Sequence, residues 1–176
     1  MDKMPMKTRA LPISFSLCVF ALFAAIPGQV RADDTHKAIQ PAIYDESADG
    51  AKLVADALTI ARTQGKCVLL EFGANWCIWC HRLHNLFEAD KSIAEKLKQN
   101  YIVVMVDVND DHNKDIDAKY GNPRQTGLPA IVILDSAGKQ LTTVATSTLE
   151  EDDHHNPQKV LSMLEEWAPK KGRSGD

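Results

Sequence analysis

The feature that most constrains this chain is an apolar run that ends in two closely spaced cysteines. Cys67 to Phe72 is apolar except for Glu71, and Gly73-Ala74-Asn75 leads from it into Trp76-Cys77-Ile78-Trp79-Cys80-His81. A run of that length and composition suits a strand buried on both faces. Leu83, Leu86 and Phe87 continue after Cys80 at helical spacing. The two thiols thus fall on the first turn of a helix that follows a buried strand. At that spacing they can close into a disulfide and open again. The same letters also spell C-x-x-C-H, the attachment signature of a c-type haem, with His81 as the axial iron ligand.

Cysteine chemistry of this kind depends on the compartment. Lys3, Lys7 and Arg9 make a basic start, Leu11 to Ile26 is largely apolar, and Val30-Arg31-Ala32 has an A-x-A-like pattern before Asp33. The apolar part is short and broken for a membrane span, which needs about 20 residues. Residues 1–32 therefore read as a signal peptide cleaved after Ala32. The expected product is a periplasmic protein without stable membrane insertion. Its domain would cover residues 33–169, and 170–176 would form a Gly/Ser/Lys-rich flexible tail. The whole chain carries a net charge of −4, and the leader contributes +3 of it, so the exported part stands at −7. That acidity argues against nucleic acid or anionic lipid as the main partner.

The rest of the chain organises around the cysteine motif. Ala42 to Asp45 suggests a short leading strand, and Ser47 to Gln64 a helix stopped by Gly65. Ser92 and Glu95 have capping-box spacing for a further helix. Tyr101 to Val106 reads as a second buried strand, and Asp110 to Lys119 as a loop running into a short helix. Ala130 to Leu134 reads as a third strand. Asp135-Ser136-Ala137-Gly138 is a hairpin turn, and Lys139 to Val144 pairs back. Asn156 and Pro157 start a last helix with Val160, Leu161, Leu164 and Trp167 on its apolar face. Strands alternating with helices predict an α/β fold: a parallel sheet with one antiparallel edge, helices on both faces, and a site at the strand carboxyl ends.

Three groups in this frame carry chemistry. A helix starting at Cys77 offers unpaired N–H groups and a positive dipole end, which favour a thiolate. Cys77 can then attack a disulfide, and Cys80, one turn inward, can displace the product. Glu71 is an acid in an apolar strand, where burial raises a carboxyl pKa, and it can exchange a proton with Cys80. Its plainer alternative is a solvated position at the strand end. Pro129, after Gly127-Leu128, is either an ordinary strand start or a cis bond that turns the Leu128 backbone toward an extended substrate. Trp76 and Trp79 flank the cysteines as an apolar surface for a partner, or pack inward. Cys67 is left over, and a small buried hydrophobe is its simplest role.

Taken together, the W-C-x-x-C motif after a buried strand, the acid six residues earlier and the Pro before the next core strand resemble the thioredoxin superfamily over roughly residues 65–168. Gly73-Ala74-Asn75-Trp76-Cys77 and Val106-Asp107-Val108 most resemble the exported thioredoxin-like proteins of bacteria, similar to the C-terminal periplasmic domain of the transmembrane disulfide reductase. The resemblance implies a thioredoxin fold with a central mixed sheet of four to five strands and helices on both faces. It implies Cys77 as attacking thiol, Cys80 as resolving thiol, Glu71 as buried proton carrier and Pro129 as a cis-Pro beside the disulfide, with no resident cofactor. Three residues depart from the pattern. Ile78-Trp79 replaces the usual Gly-Pro, Met105 stands about where a Lys neighbours the buried acid, and His81 replaces a common Lys. His81 either lends charge to the thiolate or points to solvent.

The expected activity is thiol–disulfide oxidoreduction, in the reducing direction, on disulfide-containing exported proteins, with a membrane electron donor. Disulfide oxidase or isomerase is the alternative direction. A metal-delivery role would use Cys77, Cys80 and His81 with His112, His154 and His155, although the two late histidines read more simply as part of a solvated acidic loop. A purely structural disulfide would be an inefficient staple, because its loop is so short.

Overall fold

A computed structural model describes residues 40–170. The expected leader, its cleavage site after Ala32 and all but the first residue of the expected tail lie outside the described residues. The central strand, β1 (Cys67–Gly73), is buried along its whole length. Its side chains alternate between two cores, as a strand's period of two requires. Val68, Leu70 and Phe72 enter one core, Cys67 and Leu69 the other. On one side β1 pairs in parallel with β2 (Tyr101–Asp107), with Gly73 opposite Asp107. On the other it pairs antiparallel with β3 (Ala130–Leu134), with Phe72 opposite Ala130. The hairpin strand β4 (Gln140–Ala145) completes a four-stranded mixed sheet in the order β2-β1-β3-β4.

The helices cover both faces. Over one lie α1 (Gly50–Gln64) and the short α4 (Lys114–Lys119), which contribute Val54, Ala57, Ala61 and Ile116. Over the other lie α2 (Ile78–Ala89), α3 (Lys91–Asn100) and α5 (Pro157–Glu166), which contribute Leu83, Phe87, Ile93, Leu97, Val160 and Leu164. Asp49 caps α1 by accepting from Lys52 N, and Gly65 ends it in the left-handed region at φ 64°. Asn156 caps α5 through Gln158 N and Lys159 N, with Pro157 in the first turn. A small hairpin, β5 (Glu150–Glu151) with β6 (His154–His155), stands just before α5.

Several expectations change. Ala42–Asp45 is not a strand: the Ile43 and Tyr44 N–H groups both donate to Asn75 Oδ1, each at 2.9 Å, instead of entering a ladder. The first helix begins at Gly50 rather than Ser47, because Ser47 N donates to Asp45 Oδ1 in a local turn. The α3 helix starts ahead of Ser92, because Asp90 closes α2 and caps α3 by accepting from Ile93 N. β2 is not buried throughout: its edge position leaves Val103 exposed.

The sheet itself has one parallel pair instead of a single antiparallel edge. The reason is length. The α4 helix has 6 residues and so spans about 9 Å, whereas the 7-residue β1 spans about 23 Å. A helix that short does not carry the chain back along the sheet, and β3 starts at the end where β1 and β2 finish. That reversal carries Pro129 to the cysteine end of the molecule. In a parallel β3 it would lie at the opposite end.

Candidate active site

The loop after β1 is pinned before it reaches the cysteines. Besides accepting from Ile43 and Tyr44, Asn75 donates through Nδ2 to Tyr44 O at 3.0 Å and to Glu46 Oε1 at 2.9 Å. Trp76 is 62 % exposed and is held by its indole N–H, which donates to Asn109 Oδ1 at 2.8 Å. Cys77 is the N-cap of α2, and its Sγ accepts from Cys80 N at 3.2 Å. Cys77 and Cys80 are joined as a disulfide with Cα atoms 5.3 Å apart. Cys77 retains 5 % exposure and Cys80 none, so only the first sulfur is within reach of a partner. On opening the disulfide, the helix start with its N–H donor favours negative charge on Cys77.

Glu71 is wholly buried. It lies on the same side of β1 as Cys67 and Leu69, the side that carries α2. The Tyr44 hydroxyl donates to its Oε1 at 2.8 Å, while Oε2 has no partner. Burial pushes the Glu71 carboxyl up to about 8, and the Tyr44 hydrogen bond pulls the other way. Met105 stands opposite Glu71 on β2, so no cation is supplied from that strand. Tyr44, Cys77 and Cys80 form one buried cluster with Leu128 and Met105 against it. The Leu128–Pro129 peptide is cis, and the buried Thr146 hydroxyl donates to the Pro129 carbonyl. Cys77, Cys80, Glu71, Leu128 and Pro129 are therefore brought to one end of the sheet.

The two tryptophans part company. Trp79 turns away from Trp76 and packs edge-on against the His155 ring, centroids 5.3 Å apart at 87°, while the Arg82 guanidinium lies 4.7 Å above its ring. His155 is thus no part of a solvated loop: it is 2 % exposed, and neither ring nitrogen has a hydrogen-bond partner. His81 does not point to solvent either. It is buried, with Nε2 2.8 Å from the Asn75 carbonyl. His112 Nδ1 lies 2.9 Å from Asp107 Oδ2. The histidines are therefore dispersed, and among the described residues no group of three or more His, Cys, Asp or Glu side chains is placed to hold a metal. A haem thioether site fits no better, since His81 is turned into the fold and both sulfurs face each other. Cys67 is buried with Sγ 3.6 Å from the Trp167 carbonyl, and burial pushes its thiol up to about 11. At neutral pH it stays protonated and inert.

A family profile described as thioredoxin-like matches residues 51–136. A disulphide isomerase structure from Xylella fastidiosa Temecula1 is 31 % identical, covers 70 % of this chain and 95 % of its own, and superposes with a TM-score of 0.62. The chain belongs to the thioredoxin-like family. Its Cys77/Cys80 pair, set in that fold, is the redox pair of a thiol–disulfide oxidoreductase. The thiol:disulfide interchange protein DsbD of Actinobacillus pleuropneumoniae is 33 % identical over 84 residues, which are 47 % of this chain and 14 % of that protein. The oxidised C-terminal domain of DsbD from Neisseria meningitidis shares the fold, with a TM-score of 0.50, 21 % identity, and coverage of 68 % of this chain and 97 % of its own. This chain spans between 14 % and 22 % of the length of the first curated relatives. Among the described residues, no helix is long and apolar enough to cross a membrane.

The role of Tyr44 and the burial of His155 escaped the sequence reading. Tyr44 lies in a segment without periodicity. The one available signal was Gly73, a glycine inside a buried run, which marks close approach by another group. His155 sits in an acidic stretch and gives no local sign of burial.

Proposed function

We propose that this protein is an exported thiol–disulfide oxidoreductase that reduces disulfides of exported proteins. The observation that carries the reading is the asymmetry of the pair: Cys77 caps a helix and keeps a small exposure, while Cys80 has none and shares a buried cluster with Tyr44, which bonds Glu71. The Cys77 thiolate attacks a substrate disulfide, forming a mixed disulfide and releasing one substrate thiolate, which takes a proton. Cys80 then passes its proton to the Glu71 carboxylate and attacks Cys77 Sγ. The mixed disulfide breaks, the second substrate thiolate leaves, and two electrons have moved to the substrate. Trp76 and Ile78, exposed on either side of Cys77, and Leu128, packed against the Cys77–Cys80 cluster and next to Pro129, offer the apolar contact for the substrate chain.

Export rests on the basic, apolar and A-x-A-like order of residues 1–32, removed after Ala32. A membrane electron donor would return two electrons to the pair. The oxidising or isomerising direction uses the same steps, and a measured reduction potential decides between them. The test of the mechanism is a pair of variants. Cys77→Ala is expected to abolish disulfide reduction, and Cys80→Ser to accumulate mixed disulfides with exported proteins. Full turnover by Cys77→Ala would overturn the reading.

A further inference from the structure

Tyr44 reaches the dithiol from outside the strand–helix frame, through a gap that only Gly73 leaves open. A methyl group at Gly73 would lie 2.5 Å from Tyr44 Cζ and 2.7 Å from Cys80 Sγ, with the tyrosine hydroxyl closer still. Hydroxyl and sulfur are thus neighbours across a single methyl-sized space. The same hydroxyl donates to Glu71 Oε1 at 2.8 Å, and Glu71 Oε2 is left buried without a partner. One carboxyl oxygen is therefore tied down and the other is free to take a proton. We infer that Tyr44 is a positioning residue for the resolving step: its hydroxyl orients the Glu71 carboxyl toward Cys80 and sets the pH range in which Cys80 attacks the mixed disulfide. This rests on the Cys77/Cys80 mechanism above.

The groups that face this site are few. Glu71 comes from β1, Cys77 and Cys80 from the start of α2, and Asp107 from the end of β2, with His112 on its Oδ2. From β3 the residue opposite Glu71 is the uncharged Ile131. On the tyrosine's own segment, Asp45 is engaged with Ser47. Tyr44 acts as a fixed donor and not as an acid, because burial, Glu71 and Asp107 all push its ionisation well above the ordinary range. A hydrogen bond to the ionised carboxyl favours the carboxylate. Removing it keeps Glu71 protonated to higher pH, where it cannot accept the Cys80 proton.

The experiment measures resolution directly. A mixed disulfide of Cys77 with glutathione is formed, and glutathione release is followed by stopped flow from pH 6 to 10. In the wild type a midpoint belonging to Glu71 is expected, absent in Glu71→Gln. Tyr44→Phe should keep that midpoint but move it upward by about one unit or more, the worth of one hydrogen bond to a charged group. In the Glu71→Gln background, Tyr44→Phe should change nothing further. A Tyr44→Phe midpoint that coincides with the wild type, or a Tyr44→Phe effect that persists without Glu71, overturns the inference. Infrared titration of the Glu71 carboxyl in the oxidised protein gives a second reading independent of turnover, and an unshifted carboxyl there is equally decisive. If no mixed disulfide forms at Cys77 in any variant, the mechanism has failed, while the infrared result still judges Tyr44.

Discussion

Glu71→Gln is expected to change the pH dependence of stability by several kcal/mol, and the sign follows from burial. In the unfolded chain the carboxyl titrates at its ordinary value of 4.5, whereas in the fold it is pushed up to about 8. Between those values the native state holds a proton that the unfolded state has released. Stability therefore falls as pH rises through this window. With both constants in the linkage relation, the native state loses about 3.5 kcal/mol between pH 5 and pH 8 from this one group. A glutamine does not titrate. The stability of Glu71→Gln relative to wild type should thus rise by about 3.5 kcal/mol over that range. Any constant offset from the buried amide cancels in this difference. Urea unfolding of the oxidised proteins, read by tryptophan fluorescence at several pH values, measures it. Curves that run parallel within about 1 kcal/mol, the usual scatter of such shifts, would refute the claim that Glu71 is a buried, largely unpaired carboxyl.

Other outcomes follow from the same geometry. Gly73→Ala places a methyl against Tyr44 and Cys80 Sγ, so it should destabilise by roughly 2 kcal/mol, and a urea midpoint equal to wild type would count against the packing described. His155 is held at about 4, below its ordinary 6.5, by burial first and then by Arg82 and His154. Its neutral form is the native one, so stability should fall as pH drops from 6.5 toward 4. His155→Leu should flatten that acid limb, and an unaltered limb would argue against burial. Trp76→Ala removes the most exposed apolar side chain beside Cys77. It should raise KM about tenfold for a protein disulfide and leave a small disulfide substrate unaffected. Equal effects on both would place Trp76 in the chemistry rather than in docking.

Much of the frame was legible because it obeys local rules. The run from Cys67 to Phe72 reads as a buried strand since both of its faces meet helices, and Asp135–Gly138 and Asn156-Pro157 carry their turn and cap chemistry in plain letters. The direction of β3 was not legible, because no local pattern marks that α4 is too short to recross the sheet. The Ala42–Asp45 segment misled because its partner is a side chain, Asn75, and no period marks such a contact. Burial of Glu71 was foreseen from its apolar neighbours. Its hydrogen-bond partner was not, since Tyr44 meets it only in three dimensions. The fates of Trp76 and Trp79 were likewise set by distant residues, Asn109 and His155.

Trp79 makes the spacer between the cysteines less interchangeable than its two letters suggest. Its ring is the seat for His155, and the backbone N–H of Asn156, the next residue, donates to the Leu149 carbonyl at 2.8 Å just where α5 begins. Grafting the Gly-Pro of other members into this chain would therefore unseat the hairpin and loosen the entry to the last helix. The reverse also holds: a change at His155 removes the ring against which Trp79 packs. In this molecule the spacer between the cysteines is thus also a packing contact for a hairpin far along the chain.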